Sequence, residues 1–166
     1  MTSLAFRQAA YAQETGRTII ALITLTHESL SEPIRISTDP TERLSTPILD
    51  VVYGTVSRGN QYVFLPLKIQ IPSDTDEGPG NMTIELDNVH RAYTEAIRSI
   101  FTPISVLVEL VLDNAVDTVE LQWPEFLVTN ITYDATLIKA TLALETLERE
   151  PFPSGIFGPA HFPGLF

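Results

Sequence analysis

The stretch Met82-Thr-Ile-Glu-Leu-Asp87, with residues 88–100 after it and then Ile104-Ser-Val-Leu-Val-Glu-Leu-Val-Leu112, decides the fold class. Its first part alternates. Met82, Ile84 and Leu86 fall on one face and Thr83, Glu85 and Asp87 on the other, the period of a half-buried strand. Asp87 or Asn88 can cap a helix, because either side-chain oxygen accepts from the free N–H groups of a first turn. Across 88–100, Val89, Tyr93, Ala96, Ile97 and Ile100 recur at helical spacing and make one apolar stripe, with His90, Arg91, Thr94, Glu95 and Arg98 on the other faces. Pro103 stops the helix, and residues 104–112 are rich in β-branched side chains and read as a strand. A single helix with an apolar stripe must bury it on a sheet. The expected class is therefore mainly β with one or two helices (α+β): a β-sandwich or barrel with a helix lying across it.

Working outward, residues 3–15 predict a short helix ended by Gly16. Residues 17–27 predict a strand with Ile19, Ala21, Ile23 and Leu25 on one face. Residues 33–38 predict a short strand, and 39–47 hold too many turn formers and charges to be regular. Residues 51–56 and 61–71 predict a hairpin around Ser57-Arg-Gly-Asn60. Large apolar residues occupy both faces of its second arm, so that part of the second face is expected to be covered by the helix or by another subunit. Residues 72–80 read as an exposed acidic loop. Beyond residue 113 the pattern predicts a turn over 113–117, a strand over 118–123, and a hairpin of 126–133 with 135–144. About eight strands result, without an internal repeat.

Residues 1–149 thus read as one β-rich domain with an N-terminal helix and a central helix over 88–100. Residues 150–166 differ from everything before them. Four prolines and four phenylalanines among glycines rule out a helix or a central strand. So apolar a segment is expected to dock in a groove, on its own domain or on a neighbouring subunit or partner.

The formal net charge of −11 argues against a nucleic-acid backbone as a binding partner, because phosphate needs clustered Lys and Arg. The chain has no cysteine, which removes disulfides, thiol nucleophiles and zinc–thiolate sites. The first residues do not read as a signal peptide, and no run approaches the roughly 20 apolar residues needed to span a bilayer. A soluble protein made in the cytoplasm is expected, with no membrane partner.

Residues that could carry chemistry are few. His27, His90 and His161 lack any metal-ligand spacing. Asp74, Asp76 and Glu77, or Asp113, Asn114 and Asp117, could offer oxygens to calcium, but neither set follows the EF-hand spacing and both read as solvated loop acids. Glu85 and Glu109 could act as an acid–base pair only if strand pairing brought them into one cleft; the simpler expectation is outward-facing, solubilising acids. Trp123 could stack a sugar, though a half-buried strand aromatic is the commoner case. No phosphate-binding loop, dinucleotide motif or nucleophile elbow is present. The expectation is a non-enzymatic protein without metal or cofactor, used in binding or assembly.

Several stretches taken together carry a family resemblance: Tyr11-Ala-Gln-Glu-Thr-Gly16, Val56-Ser-Arg-Gly-Asn-Gln-Tyr62, Leu86-Asp-Asn-Val89 leading into Ala96-Ile-Arg98, Asn130-Ile-Thr-Tyr-Asp134, and Glu150-Pro-Phe-Pro153 closing with Phe162-Pro-Gly-Leu-Phe166. The set resembles a family of tailed-bacteriophage and prophage proteins of unknown function whose genes lie among tail-tip genes. The family has no accepted catalytic residues. The resemblance implies a structural virion protein at the tail tip, similar in setting to distal tail proteins, with a tube-like β-sandwich or split barrel flanked by a helix. It also implies a homo-oligomeric, hexameric ring that joins the tail tube protein to the baseplate hub protein, with DNA passing through the lumen without specific binding.

On that reading, the 51–71 hairpin and the 104–112 strand are the expected subunit contacts, through Tyr62, Phe64, Ile104, Val106 and Val108. Phe152, Phe157, Phe162 and Phe166 would clasp the next subunit or the hub. Carboxylates of the 72–80 loop would line the lumen. The rival readings are a receptor- or carbohydrate-binding β-sandwich module using Trp123 and Tyr133, and a small hydrolase with an unrecognised carboxylate pair.

Overall fold

The computed structural model describes residues 2–44, 51–71, 81–87, 102–123, 125–134 and 137–144. The helix expected over 88–100, the acidic loop over 72–80 and the segment 150–166 lie outside these residues. The described chain is mainly β with a single short helix, as the sequence pattern predicts. Its elements are α1 (Leu4–Tyr11), β1 (Ile19–Thr26), β2 (Ile34–Ser37), β3 (Glu42–Arg43), β4 (Tyr53–Ser57), β5 (Asn60–Phe64), β6 (Leu67–Gln70), β7 (Met82–Asp87), β8 (Ser105–Leu112), β9 (Ala115–Gln122), β10 (Phe126–Tyr133) and β11 (Leu137–Leu144).

All eleven strands join one open sheet, in the order β3-β4-β5-β2-β1-β8-β10-β11-β7-β6, with β9 pairing β8 outside that path. β8 is its organising strand. Eight antiparallel pairs, from Ile19 with Leu112 to Thr26 with Ser105, tie one edge of β8 to β1. The other edge is divided: Ser105 and Val106 pair β10, whereas Glu109 to Leu112 pair β9. A strand shared in this way splits the sheet, and the two parts turn their apolar faces toward each other as in a β-sandwich. Between them lies a core of Ile23, Ile36, Ile84, Val106, Val108 and Phe126, among others. The alternation read in residues 82–87 is borne out: Met82 and Ile84 are buried, Thr83 and Glu85 only partly.

β1 departs from simple alternation, with Ile20, Ala21, Leu22 and Ile23 all buried. Ile23 faces the main core, while Ile20 and Leu22 meet Tyr62 and Val111 in a second cluster on the other side. A centrally paired strand covered on both faces reads as a continuous apolar run. The helix α1 covers a third patch, seating Phe6 and Ala9 on Leu112. Its N-cap is Ser3, whose hydroxyl accepts from the Phe6 N–H at 3.1 Å.

The helix expected over 3–15 and ended by Gly16 stops earlier, at Tyr11, where Ala12 turns extended as its C-cap. Three strand boundaries also differ from expectation, each for a physical reason. The run 61–71 is two strands, broken at Leu65-Pro66, because Pro66 has no N–H to give to a ladder. Residues 39–47, expected to be irregular, contain β3, whose Glu42 and Arg43 pair Gly54 and Tyr53. The turn expected over 113–117 is confined to Asp113 and Asn114, so β9 begins at Ala115.

Candidate functional site

The hairpin of β4 and β5 closes through Arg58 and Gly59, with Ser57 pairing Asn60. Both loop residues have positive φ, 50° and 77°, the left-handed turn whose twist matches that of paired strands. Gly59 adopts it freely; Arg58 does so against its preference and is held from several sides. Its N–H donates to Asp117 Oδ1, and its guanidinium forms a two-pronged contact with Glu109, Nη1 to Oε1 at 3.0 Å and Nη2 to Oε2 at 2.5 Å. Ser57 Oγ donates to the Val116 carbonyl at 2.6 Å and accepts from Arg58 Nε at 3.3 Å.

Glu109 is therefore not the outward-facing acid expected from sequence. It is only 3% exposed, and its charge is neutralised by the arginine. The expectation failed because alternation places Glu109 on a face of β8 but cannot show that the β4–β5 hairpin covers that face. The contact with Glu109 holds the Arg58 guanidinium pKa above its ordinary value, more than offsetting its partial burial. A hydroxyl pair continues the polar layer, with Ser37 Oγ 2.9 Å from Thr55 Oγ1, both side chains buried. Among the described residues, no buried side-chain nitrogen or oxygen lacks a partner. A fully satisfied network of this kind rigidifies the corner and fixes its geometry.

A second polar anchor holds the helix. Both Glu120 carboxylate oxygens accept from Ser3, from its N–H at 2.7 Å and from its hydroxyl at 2.6 Å. These bonds hold the Glu120 pKa below the usual carboxylate value.

The other candidate acids do not converge. Glu85 pairs Lys139 at 3.0 Å, so the two carboxylates weighed as a catalytic pair are taken up by different cations. Asp113 accepts from the Asn114 N–H and Asp117 from that of Arg58. Asp74, Asp76, Glu77, His90 and His161 lie outside the described residues. His27 is exposed and bridges Ser29 and Thr102 through its two ring nitrogens. No group of three or more His, Asp or Glu that could hold a metal ion occurs among the described residues. No helix among them is long and apolar enough to cross a membrane.

Of the side chains expected at a subunit contact, Tyr62, Ile104, Val106 and Val108 are all at most 3% exposed within the single chain. Their burial gives them a part in the chain's own interior: Ile104, Val106 and Val108 in the main core, and Tyr62 against Ile20 and Leu22. Phe64 is half-buried. Phe152, Phe157, Phe162 and Phe166 lie outside the described residues. Trp123 is half-buried and packs on the main core, and Tyr133 lies at the end of β10.

Two openings bear on binding. One is an all-apolar void of about 40 Å³ between the sandwich layers, beside Ile84, Val106 and Leu142, far below the size of a ligand pocket. The other is an open groove of about 400 Å³ between β6 and the β1–β8 pair, lined by Ile19, Leu67, Ile69, Ile71, Leu110 and Trp123 among others. Ile19 and Ile71 remain 37% and 52% exposed at its rim. Sequence alternation marks Ile69 and Ile71 as one face of a strand. It carries no signal that β6 would end the sheet and leave that face only partly covered.

Comparison with curated proteins finds no match. Residues 5–157 match the family model described as a domain of unknown function, DUF1833. With all eleven described strands inside the matched range, the chain belongs to the DUF1833 family.

Proposed function

We propose that this protein is a structural component of a phage tail tip, forming a homo-oligomeric ring of six copies that connects the tail tube protein to the baseplate hub protein. The reading starts from the tail-tip resemblance of the quoted motifs. The observation that carries it further is the open sheet with two unlike ends. Cyclic rings need a heterologous contact, one surface of each subunit meeting a different surface of the next. At one end of the strand order the short, charged β3 is flanked by Val51 and Tyr53, each 46% exposed. At the other end stands β6 with its apolar groove. In the ring the acidic surface faces passing DNA and repels it, so the lumen conducts without binding.

The test is the solution mass of the full-length protein beside a version ending at Arg149, alone and with tail tube protein. A ring-sized species that falls to monomer on truncation supports a ring clasped by residues 150–166. A monomer under every condition, tube protein included, removes the reading.

A further inference from the structure

Among the described residues, the groove between β6 and the β1–β8 pair is open. Its rim residues Ile19 and Ile71 stay solvent-exposed while Leu67, Ile69, Leu110 and Trp123 form an apolar floor and wall. An apolar cleft of this kind beside an end strand is a surface that an extended chain fills. The same sequence contains a segment with the complementary chemistry. Residues 150–166 carry Phe152, Phe157, Phe162 and Phe166, with Glu150 as the one acid and no Lys or Arg. Pro151, Pro153, Pro159 and Pro163 stiffen it toward an extended form, which lowers the entropy lost on docking.

Resting on the ring reading, we infer that each groove receives residues 150–166 of the neighbouring copy, the phenylalanines entering beside Ile71 and Trp123. Reach permits the exchange. The 22 residues after Leu144 (166 minus 144) span about 70 Å when extended. A compact domain of this size is only about 40 Å across. The segment leaves the sheet at the groove's own end, a position that serves the groove of its own chain as well as that of a neighbour in a ring. Leu144 pairs Phe126, which pairs Val106, and Trp123 donates its N–H to the Val108 carbonyl at 3.1 Å at the same end of the sheet. In a closed ring the clasp passed by one copy at this end meets the groove of the next, and every groove is filled.

Because the sequence has no cysteine, introduced thiols report without background. Full-length Ile71→Cys is mixed with a size-tagged full-length chain bearing Phe152→Cys, Phe157→Cys, Phe162→Cys or Phe166→Cys, and the mixture is oxidised. At least one pairing should give a linked heterodimer, about tenfold above the yield with Thr132→Cys at the other end of the sheet. Ile19→Cys repeats the measurement from the opposite rim, should Ile71→Cys fold poorly. Carrying both cysteines on one chain and obtaining linked monomer overturns the inference in favour of docking within the chain. A ring of full mass with no link to either rim position overturns the groove assignment and leaves the ring reading standing. A monomer with no link removes both.

Discussion

The two halves of β8 hold different kinds of interior. From Ser105 to Val108 the strand contributes Val106 and Val108 to an all-apolar core shared with β1, β7, β10 and β11. From Glu109 to Leu112 it carries a buried carboxylate whose stability depends on one arginine 51 residues away in sequence. The first half asks of its neighbours only volume and shape. The second asks for a particular charge at a particular point, because a buried carboxylate without its partner bears the full cost of leaving water.

The contrast is testable, beginning where the effect is largest. Phe126 is fully buried in the apolar half. Phe126→Ala should lower unfolding free energy by about 4 kcal/mol in urea titration, against about 1 kcal/mol for the volume-conserving Leu142→Met. Equal costs for the two would mean that the core is looser than its burial indicates.

Arg58→Ala should cost about 2–3 kcal/mol, less than a wholly buried pair because the arginine side chain is 37% exposed. The double change Arg58→Ala with Glu109→Leu should recover most of that loss, since no charge is then stranded. A double-mutant cycle showing no recovery would mean that the loss comes from the turn geometry and not from the ion pair.

Gly54 lies between the two regimes. It pairs Val63, and a Cβ there would fall on the Tyr62 carbonyl oxygen. Gly54→Ala should therefore cost about 2 kcal/mol through forced displacement of β5. An unchanged urea midpoint would show that the β4–β5 hairpin yields easily.

The smallest effect is at the helix. Ser3→Ala removes an N-cap and should cost about 1 kcal/mol. The same contact is pH-dependent. Glu120 is held below its ordinary value of 4.5, so its contribution is present above that pH and is lost as the pH falls through the lowered folded value. Amide exchange across α1 should accelerate in acid before the core strands do. In Glu120→Gln this early acid step should be absent; its persistence would place the titrating group elsewhere.

Much of the fold was legible before any coordinates. Strict alternation in residues 82–87 and the β-branched run 104–112 pointed to strands, and residues 3–15 to a short helix, because these patterns act through backbone geometry within a few residues. The polar corner was not legible. Nothing near Glu109 in sequence distinguishes it from Glu85, and Arg58 is read locally as a turn residue and no more. The groove was invisible for a related reason: Ile71 and Trp123 are ordinary strand-flanking apolar residues until β6 is known to end the sheet.

Local periodicity and turn chemistry were enough for the class of structure: a mainly β chain with a short N-terminal helix, its hairpin positions and its apolar faces. Tertiary structure alone decided which faces stay covered, where β8 divides its edge between β9 and β10, and which carboxylate is buried against an arginine. Those outcomes depend on pairings across tens of residues. Burial belongs to the assembled surface and not to the residue, so no window of the chain contains it.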